Sequence, residues 1–347
     1  MSLPPTMRGV VLTGHGGLDM LEIRDDLPVP VPGPMDVVVR VRAAGVNTDI
    51  NTRTAWYSTG DAEDADATWS GKPLTFPRVQ GADVCGEIVA AGTDVDPSRV
   101  GERVLIEPCL RFANGVQQTP AWYLGSECDG GFAQFTRLDT RHAHAITSDL
   151  SDVELASIPC SYSPADNMLV RAGLETGEAV LVTGASGGVG SAAVQMARAR
   201  GAHVIAVTSP AKVDALMSLG AERTLTREDD PVAALGANSV DVVVDLVAGP
   251  NWPPLLSVLR RGGRYAVAGA IGGPMVSLDV RTLYLKDLSF FGCTVLEPDV
   301  FGNLITRIER GDIKPLVADV FALEEINAAQ KAFGEKGYTG KIVLRVD

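Results

Sequence analysis

A glycine-rich segment near the middle of the chain constrains the fold more than any other feature. Residues 180–182 form a short apolar run that is typical of a buried parallel strand. Residues 184–190 follow as a loop with four glycines, and residues 191–200 are then rich in helix formers. Strand, glycine loop and helix in this order predict a dinucleotide site, because backbone N–H groups at a helix start can hold a pyrophosphate.

The loop fits two nucleotide-binding patterns. Ala185-x-Gly187-x-x-Gly190 is the common dinucleotide pattern with alanine in place of its first glycine. The same letters, counted from Thr183, also fit the pattern of short-chain dehydrogenases. About half of the chain precedes the loop, and no Tyr-x-x-x-Lys pair follows it. Both observations oppose the short-chain interpretation.

Composition limits the domain count and the partners. A chain of 347 residues with 46% hydrophobic residues has material for two domains. The net charge of −13 argues against nucleic acid or an anionic membrane as a partner. No apolar run reaches the ~18 residues of a membrane span, and the first residues have no hydrophobic signal core. Five scattered cysteines predict no disulfide framework, so we expect a cytoplasmic protein. With nucleic acid and membranes disfavoured, we expect its partner to be a small molecule.

The pattern of strands and helices changes near residue 150. Before it, short strands separated by Gly/Pro turns predict a barrel-like β domain. At Ser151 and Glu154 a capping box opens a helical segment. After the glycine loop, strands and helices alternate, which predicts a doubly wound parallel sheet. A tail of two helices and a strand can pack back onto the first domain, so the fold class is α/β with a β-rich domain and a Rossmann domain.

Several motifs together resemble the medium-chain dehydrogenase/reductase superfamily, and within it the zinc-free quinone oxidoreductase-like branch. They are Ala43-Ala44-Gly45-Val46-Asn47, Gly81-Ala82-Asp83-x-x-Gly86-x-Ile88, Arg261-Gly262-Gly263-Arg264 and Gly340-Lys341-Ile342-Val343-Leu344, with the glycine loop. The resemblance covers nearly the whole chain. It implies a GroES-like catalytic domain at residues 1–152 and 304–347 and a Rossmann NADP(H)-binding domain at residues 153–303. It also implies a homodimer formed through the edge strand near residue 290.

The resemblance leads us to expect no metal. In the zinc-dependent members, the three catalytic ligands correspond here to Asn47, Ala82 and Cys160, of which only Cys160 is a ligand type. A catalytic zinc needs about three protein ligands. The structural zinc loop needs four closely spaced cysteines, and Cys109 and Cys128 stand alone. Cys160 is more simply explained as a small buried apolar residue.

The end of the second Rossmann strand predicts the choice of cofactor. Sites that prefer NAD carry an acidic residue there for the ribose hydroxyls. This chain has Ser209 and Lys212 and no acid, and a hydroxyl with a cation suits the 2′-phosphate of NADPH. The alternative is that Lys212 is only a surface helix residue. Two departures from the branch are Thr226, where it usually has Tyr, and Pro164, where a Thr usually faces the nicotinamide.

The candidate residues fall into two sets. We expect the cofactor to contact Ser186, Gly187, Gly188, Val189, Ser209, Lys212, Gly269, Cys293 and Lys341. The catalytic candidates are Asn47, which the resemblance places near the nicotinamide, Asp49 and Tyr57. Tyr57 is a candidate proton donor or substrate anchor, or else an aromatic residue of the pocket wall, and Asp49 could simply cap a helix. Tyr123 is a further candidate for the pocket wall.

Without zinc, reduction of a simple ketone lacks its main electrophile. Hydride addition to a quinone or an α,β-unsaturated carbonyl is easier, because the developing charge spreads onto an oxygen that hydrogen-bond donors can hold. A proton must then come from Tyr or solvent. We therefore expect an NADPH-dependent reductase of such compounds. The alternatives are a zinc-free alcohol/ketone dehydrogenase and an NADPH-binding protein with little turnover.

Overall fold

A computed structural model describes residues 3–47, 49–56 and 72–346. The strands are β1 (Thr6–Leu12), β2 (Leu21–Pro28), β3 (Asp36–Val46), β4 (Arg78–Val79), β5 (Asp83–Ala91), β6 (Arg103–Ile106), β7 (Cys109–Ala113), β8 (Val116–Tyr123), β9 (Phe135–Asp139), β10 (Ala143–Ala145), β11 (Ala179–Val182), β12 (His203–Val207), β13 (Arg223–Leu225), β14 (Val240–Asp245), β15 (Leu259–Val267), β16 (Ser289–Gly292), β17 (Val317–Ala322) and β18 (Lys341–Arg345).

The helices follow the same chain order. They are α1 (Asp49–Arg53), α2 (Asp152–Ala156), α3 (Pro159–Arg171), α4 (Gly188–Ala199), α5 (Val213–Ser218), α6 (Pro231–Leu235), α7 (Trp252–Val258), α8 (Val280–Leu285), α9 (Val300–Glu309) and α10 (Ile326–Glu335). None of the helices in the described residues is long and apolar enough to cross a membrane.

Strand β3 is the centre of the antiparallel part. Its valine-rich sequence suits a strand covered on both faces, and Val37, Val38 and Val39 are fully buried. It pairs antiparallel with β5, β9 and β18. The sheet has the order β10-β6-β5-β3-β18-β17, with β9 joined to β3. Because β3 ends at Val46, Asn47 lies directly after the carboxyl end of this central strand.

A small hairpin, β7 and β8, stands beside this sheet. Sequence analysis did not predict it, because residues 116–120 lack the alternating apolar pattern of a half-buried strand. The hairpin begins at Cys109 and ends at Tyr123, which are paired in register. Its two ends therefore meet at one place.

The parallel sheet confirms the predicted doubly wound architecture. Its order is β13-β12-β11-β14-β15-β16, and all of its pairs are parallel. The sheet extends from β11 through β12 on one side and through β14 on the other. This reversal of direction at β11 creates the switch point at which α/β sheets bind ligands, outside the carboxyl ends of the strands. Strand β16 lies at the sheet edge, as predicted.

The last strand returns to the first sheet, which also agrees with the sequence prediction. Strand β18 pairs antiparallel with β3, and Ile342 lies opposite Val46. Lys341 therefore enters the structure next to the end of β3 and next to Asn47. The capping box at Ser151 and Glu154 is present at the start of α2, and α3 follows and packs against α4 and α9.

Candidate active site

The glycine loop has the geometry of a phosphate cradle. Strand β11 ends at Val182, and α4 begins at Gly188 with Gly187 at its N-cap. The first N–H groups of a helix have no partner within it and point outward. A Cβ on Gly190 would lie 2.3 Å from the carbonyl oxygen of Gly184, so only glycine permits this turn. The residues present fit a bound pyrophosphate.

The expected cofactor residues meet at one edge of the parallel sheet. They follow the carboxyl ends of four different strands: Ser186, Gly187, Gly188 and Val189 after β11, Ser209 after β12, Gly269 after β15 and Cys293 after β16. This edge is where nucleotide cofactors bind in doubly wound sheets. The fold therefore gathers residues that span more than 100 positions of the sequence.

Lys212 lies in a cluster of cations beside this edge. Its Nζ donates to the carbonyl oxygens of Lys336 at 2.9 Å and of Tyr338 at 2.6 Å. Burial and then the charge of Arg227 lower the pKa of Lys212. The pKa of Lys336 is also lowered, by burial and then by Lys212 and Lys341. In a chain of net charge −13, these cations form a local site that favours an anion.

Lys341 connects the glycine loop with the antiparallel sheet. A Cβ on Gly188 would lie 2.8 Å from Lys341 Cδ, so the lysine stem runs directly along the loop. The main-chain N of Gly340 donates to the Ser186 carbonyl oxygen at 3.3 Å. The Lys341 ammonium lies 2.7 Å from Asp83 Oδ2, and both side chains are buried. A cation with this placement can meet a pyrophosphate and a buried carboxylate together.

Asn47 is held by one local contact and by one contact from a distant segment. Its main-chain N donates to Asp49 Oδ2 at 2.9 Å, and its Nδ2 donates to the Cys160 carbonyl oxygen at 3.4 Å. That carbonyl is free of its helical partner because Pro164, four residues later, has no N–H. Cys160 accordingly departs from helical geometry, with φ −85° and ψ 20°. Pro164, where the resembled branch usually has threonine, therefore leaves the Cys160 carbonyl oxygen available to orient the Asn47 amide.

Asp49 is buried at the start of α1. Burial is the main cause that raises its pKa to about 6, and the charge of Asp83 adds to it. The N–H groups of Asn47 and Gly81 and the charge of Lys341 act in the opposite direction. The carboxylate accepts the N–H of Asn47, a residue that precedes the helix, whereas an N-cap side chain accepts from a residue two or three positions after it.

We call Asn47, Asp49, Asp83, Cys160 and Lys341 the polar junction. The main-chain N of Cys160 donates to Asp83 Oδ1, which closes the set. Sequence analysis did not identify Asp83 as a site residue, although an acid inside the apolar run of β5 was a signal for a buried partner. Tyr57 lies outside the described residues.

The thiol of Cys160 belongs to the junction as a neutral group. Burial, followed by the charge of Asp83, raises its pKa well above the usual value for cysteine. Among the described residues, no group of three or more His, Cys, Asp or Glu side chains is placed to hold a metal ion. The carboxylate nearest to Cys160 already has a cation, the Lys341 ammonium.

Comparisons with known families agree with the two parts of the fold. Residues 33–148 match the family described as alcohol dehydrogenase GroES-like domain. Residues 188–310 match the family described as zinc-binding dehydrogenase. Together the two matches cover strands β3 to β10 and the part of the chain from the start of α4 to the end of α9.

Individual relatives cover almost the whole chain. Human quinone oxidoreductase is 28% identical, and the alignment covers 97% of each chain. An acryloyl-coenzyme A reductase from Metallosphaera sedula is 30% identical over 97% of this chain and 99% of that protein. A solved structure from Sinorhizobium meliloti, a candidate alcohol dehydrogenase, is 44% identical with a TM-score of 0.92, over 99% of this chain and 98% of that one.

Proposed function

Because this chain belongs to the medium-chain dehydrogenase/reductase superfamily and is quinone oxidoreductase-like, we propose that it is an NADPH-dependent reductase. Members of this superfamily are oxidoreductases that use a nicotinamide cofactor. The proposed substrate is a quinone or an α,β-unsaturated carbonyl compound, reduced without zinc.

One observation carries the proposal: a continuous series of contacts from the glycine loop to Asn47. Lys341 lies along Gly188 and pairs with Asp83. Asp83 accepts the N–H of Cys160, whose carbonyl oxygen accepts the Asn47 amide. A nucleotide bound at the loop is therefore adjacent to the same polar side chains that a substrate would meet.

The cation cluster supports NADPH over NADH. The charge of Arg227 lowers the pKa of Lys212, and the charge of Lys212 lowers the pKa of Lys336, so these cationic groups are close together. No acidic residue stands at the end of β12 to hold ribose hydroxyls. The 2′-phosphate of NADPH would supply negative charge to this cluster of cations. It would bind them through charge-assisted hydrogen bonds.

The residues at the zinc positions do not fit a catalytic zinc. Asn47 offers an amide, Ala82 offers no ligand and Cys160 offers a buried neutral thiol. A Lewis acid site needs about three ligands with an open position. We therefore propose chemistry that depends on hydrogen-bond donors, although residues 188–310 match a family described as zinc-binding.

The substrate class follows from this chemistry. A bound nicotinamide supplies a hydride to the substrate. The residues of the polar junction orient the substrate, and donors hold the oxygen on which charge develops. Two of the relatives are a quinone oxidoreductase and an acryloyl-coenzyme A reductase, and both names describe acceptors of this activated kind. A zinc-free alcohol/ketone dehydrogenase is the second candidate, and a binding protein with little turnover is the third.

The assembly, domain division and location complete the proposal. We infer a homodimer through the edge strand β16, which lies beside an exposed apolar surface. The exposed side chains are Ile271, Met275, Val280, Tyr284, Leu285 and Phe290. An open apolar sheet edge favours pairing with a second copy. We propose that residues 1–152 and 304–347 form the first domain and that residues 153–303 form the second. The boundary between residues 303 and 304 lies within α9. Five free cysteines favour the cytoplasm.

Steady-state oxidation of NADPH and NADH with naphthoquinone, cyclohexenone and cyclohexanone tests the function. We expect turnover of the first two and little with cyclohexanone. Lys212→Ala should raise the KM for NADPH about tenfold and leave that for NADH unchanged. Lys331→Ala, on the exposed face of α10, is the control. Equal use of cyclohexanone would favour the dehydrogenase alternative, and no turnover with any compound would leave a binding protein.

A further inference from the structure

The β7–β8 hairpin brings a phenol into contact with the segment that follows the edge strand of the parallel sheet. Tyr123 ends β8 and pairs with Cys109 at the start of β7. Its main-chain N donates to Glu127 Oε2 at 2.7 Å. The ring is partly buried and packs against the core cluster that also contains Cys109 and Cys293. The position of the side chain is therefore set by strand pairing and by packing.

The hydroxyl of Tyr123 reaches across to the nucleotide-binding part. It donates to the carbonyl oxygen of Thr294, two residues beyond the carboxyl end of β16. This bond is exposed to solvent, so a ligand can approach it. The thiols of Cys109 and Cys160 are close enough to act on the pKa of the phenol. Tyr123 thus stands between the cofactor edge of the parallel sheet and the polar junction.

We propose that Tyr123 is a catalytic residue, whose hydroxyl holds the carbonyl oxygen of the substrate and gives it a proton after hydride addition. The inference rests on the proposed function. The Asn47 amide is already engaged with the Cys160 carbonyl, whereas the Tyr123 hydroxyl is bonded at an exposed position. It can exchange the Thr294 carbonyl for a substrate oxygen without the loss of a hydrogen bond.

The proton balance of the step is complete. Hydride addition at the β-carbon moves the alkene electron pair toward the carbonyl and produces an enolate. The O–H bond of Tyr123 then breaks, a new O–H bond forms on the enolate oxygen, and the electron pair stays on the phenolate. Water returns a proton to Tyr123, and the enol becomes the saturated ketone. The substrate gains two electrons, which the cofactor has lost.

The surroundings keep the phenol ready for this role. Burial, followed by the neighbouring Cys109, raises the pKa of Tyr123. The hydroxyl therefore retains its proton at neutral and mildly alkaline pH until a strong base, such as an enolate, forms beside it. A donor of this kind replaces the electrophile that a metal would otherwise provide.

Tyr123→Phe tests the proposal because it removes the hydroxyl and keeps the ring. We expect kcat with cyclohexenone or naphthoquinone to fall about 10²-fold, with the Kd for NADPH unchanged. Tyr162→Phe is the matched control, since its hydroxyl also donates to a main-chain carbonyl, that of Lys314 at 3.0 Å. It should retain wild-type kcat.

Two further measurements distinguish catalysis from packing. In D₂O, kcat of the wild type should fall, because the O–H bond of Tyr123 breaks in the reaction, and Tyr123→Phe should lose this solvent isotope effect. Without turnover, nitrophenolate imitates the enolate, and its affinity for the enzyme with NADP⁺ should fall about tenfold in the variant. A Tyr123→Phe variant with wild-type kcat, solvent isotope effect and nitrophenolate affinity would overturn the proposal. A wild type that reduces none of these acceptors would instead overturn the proposed function on which it rests.

Discussion

Asp49 and Glu107 are both buried carboxylates, yet they lie in surroundings that shift their pKa in opposite directions. Burial and the nearby Asp83 raise the pKa of Asp49 to about 6. Burial also opposes ionisation of Glu107, but hydrogen bonds with His142 and His144 outweigh it and lower the pKa to about 2. The two sites differ in the number of side chains that can stabilise the carboxylate charge. Among the described side chains, Asp49 has only Lys341, which it shares with Asp83.

The contacts of Glu107 define a second set, the glutamate cluster: Glu107, Arg111, His142 and His144. Arg111 lies 2.8 Å from Glu107 Oε1, and His142 Nδ1 lies 3.0 Å from Oε2. His142 Nε2 accepts the N–H of Phe112, so its proton is on Nδ1, toward Glu107. Three side chains of the protein therefore already donate to this carboxylate.

The comparison indicates what each region does. The glutamate cluster is satisfied internally and stabilises the fold. The polar junction has two carboxylates and one cation, and perturbed groups of this kind are typical of functional sites. A cofactor phosphate would add negative charge beside Lys341, and a substrate would add a polar group beside Asn47. The predictions below test this difference, beginning with the largest effect.

Lys341→Met should have the largest effect. It leaves Asp83 buried without its cation, which costs about 3–5 kcal/mol of unfolding free energy. NADPH binding should weaken as well, because the lysine stem lies along Gly188. Urea unfolding and fluorescence titration with NADPH measure both effects.

A second variant and a control complete that experiment. Asp83→Asn combined with Lys341→Met should recover more than half of the lost unfolding free energy, because it removes the unpaired charge. Lys331→Met, on an exposed position of α10, should change the unfolding free energy by less than about 0.5 kcal/mol. If Lys341→Met alone unfolds at the same urea concentration as the wild type, the buried pair is not important for stability.

Glu107→Gln should cost about 3 kcal/mol at pH 7, from the difference between a pKa of about 2 and the ordinary value of 4.5. A depressed folded pKa contributes stability above the unfolded pKa and loses it as the pH falls. The difference from the wild type should therefore shrink between pH 4.5 and pH 2.

Glu222→Gln is the control for the glutamate cluster. Glu222 also contacts a histidine and an arginine, His203 at 2.8 Å and Arg198 at 2.7 Å, but on the surface. Its replacement should destabilise the protein much less than Glu107→Gln, because solvent screens an exposed ion pair. Equal effects of the two substitutions in urea unfolding would show that burial does not distinguish them.

The parts of the molecule that were predictable from sequence are those built from local contacts. The glycine loop follows from one strand, one turn and one helix start, which are adjacent in the sequence. The capping box of α2 is equally local and is confirmed. Local signals of this kind depend on backbone geometry that the residue types themselves determine.

The polar junction depends on contacts that no local pattern contains. Asp83 and Lys341 are 258 positions apart, and Asn47 and Cys160 are 113 apart. Sequence analysis named Asn47, Asp49 and Lys341 separately, but only the register of β18 on β3 brings them together. The hairpin that carries Tyr123 was missed for the related reason that its exposed residues have no alternating pattern.

Asp49→Asn should change the pH dependence of stability more than stability itself. The folded pKa of about 6 lies above the ordinary 3.8, so the wild type is favoured below pH 3.8 and loses that contribution as the pH rises through 6. The loss should be about 3 kcal/mol. The asparagine side chain does not titrate, and the variant should lack this slope in unfolding experiments between pH 4 and 7.

Asp230→Asn is the control for that slope, because Asp230 also lies at the start of a helix, α6, but is exposed. It should have the same pH profile as the wild type. A slope that persists in Asp49→Asn would assign the titration to another group of the polar junction.

Pro164→Ala should have the smallest effect on stability, of about 1 kcal/mol or less, because a restored helical bond offsets the loss of a rigid residue. It adds a backbone N–H that competes with Asn47 for the Cys160 carbonyl. A junction that needs an oriented Asn47 amide should then lose a few-fold in kcat with an unchanged Kd for NADPH. Pro253→Ala is the control, since Pro253 lies in the first turn of α7, where no internal bond is missing. Equal kcat values in both variants would show that the freed carbonyl does not position Asn47, and the polar junction would then depend on its charges alone.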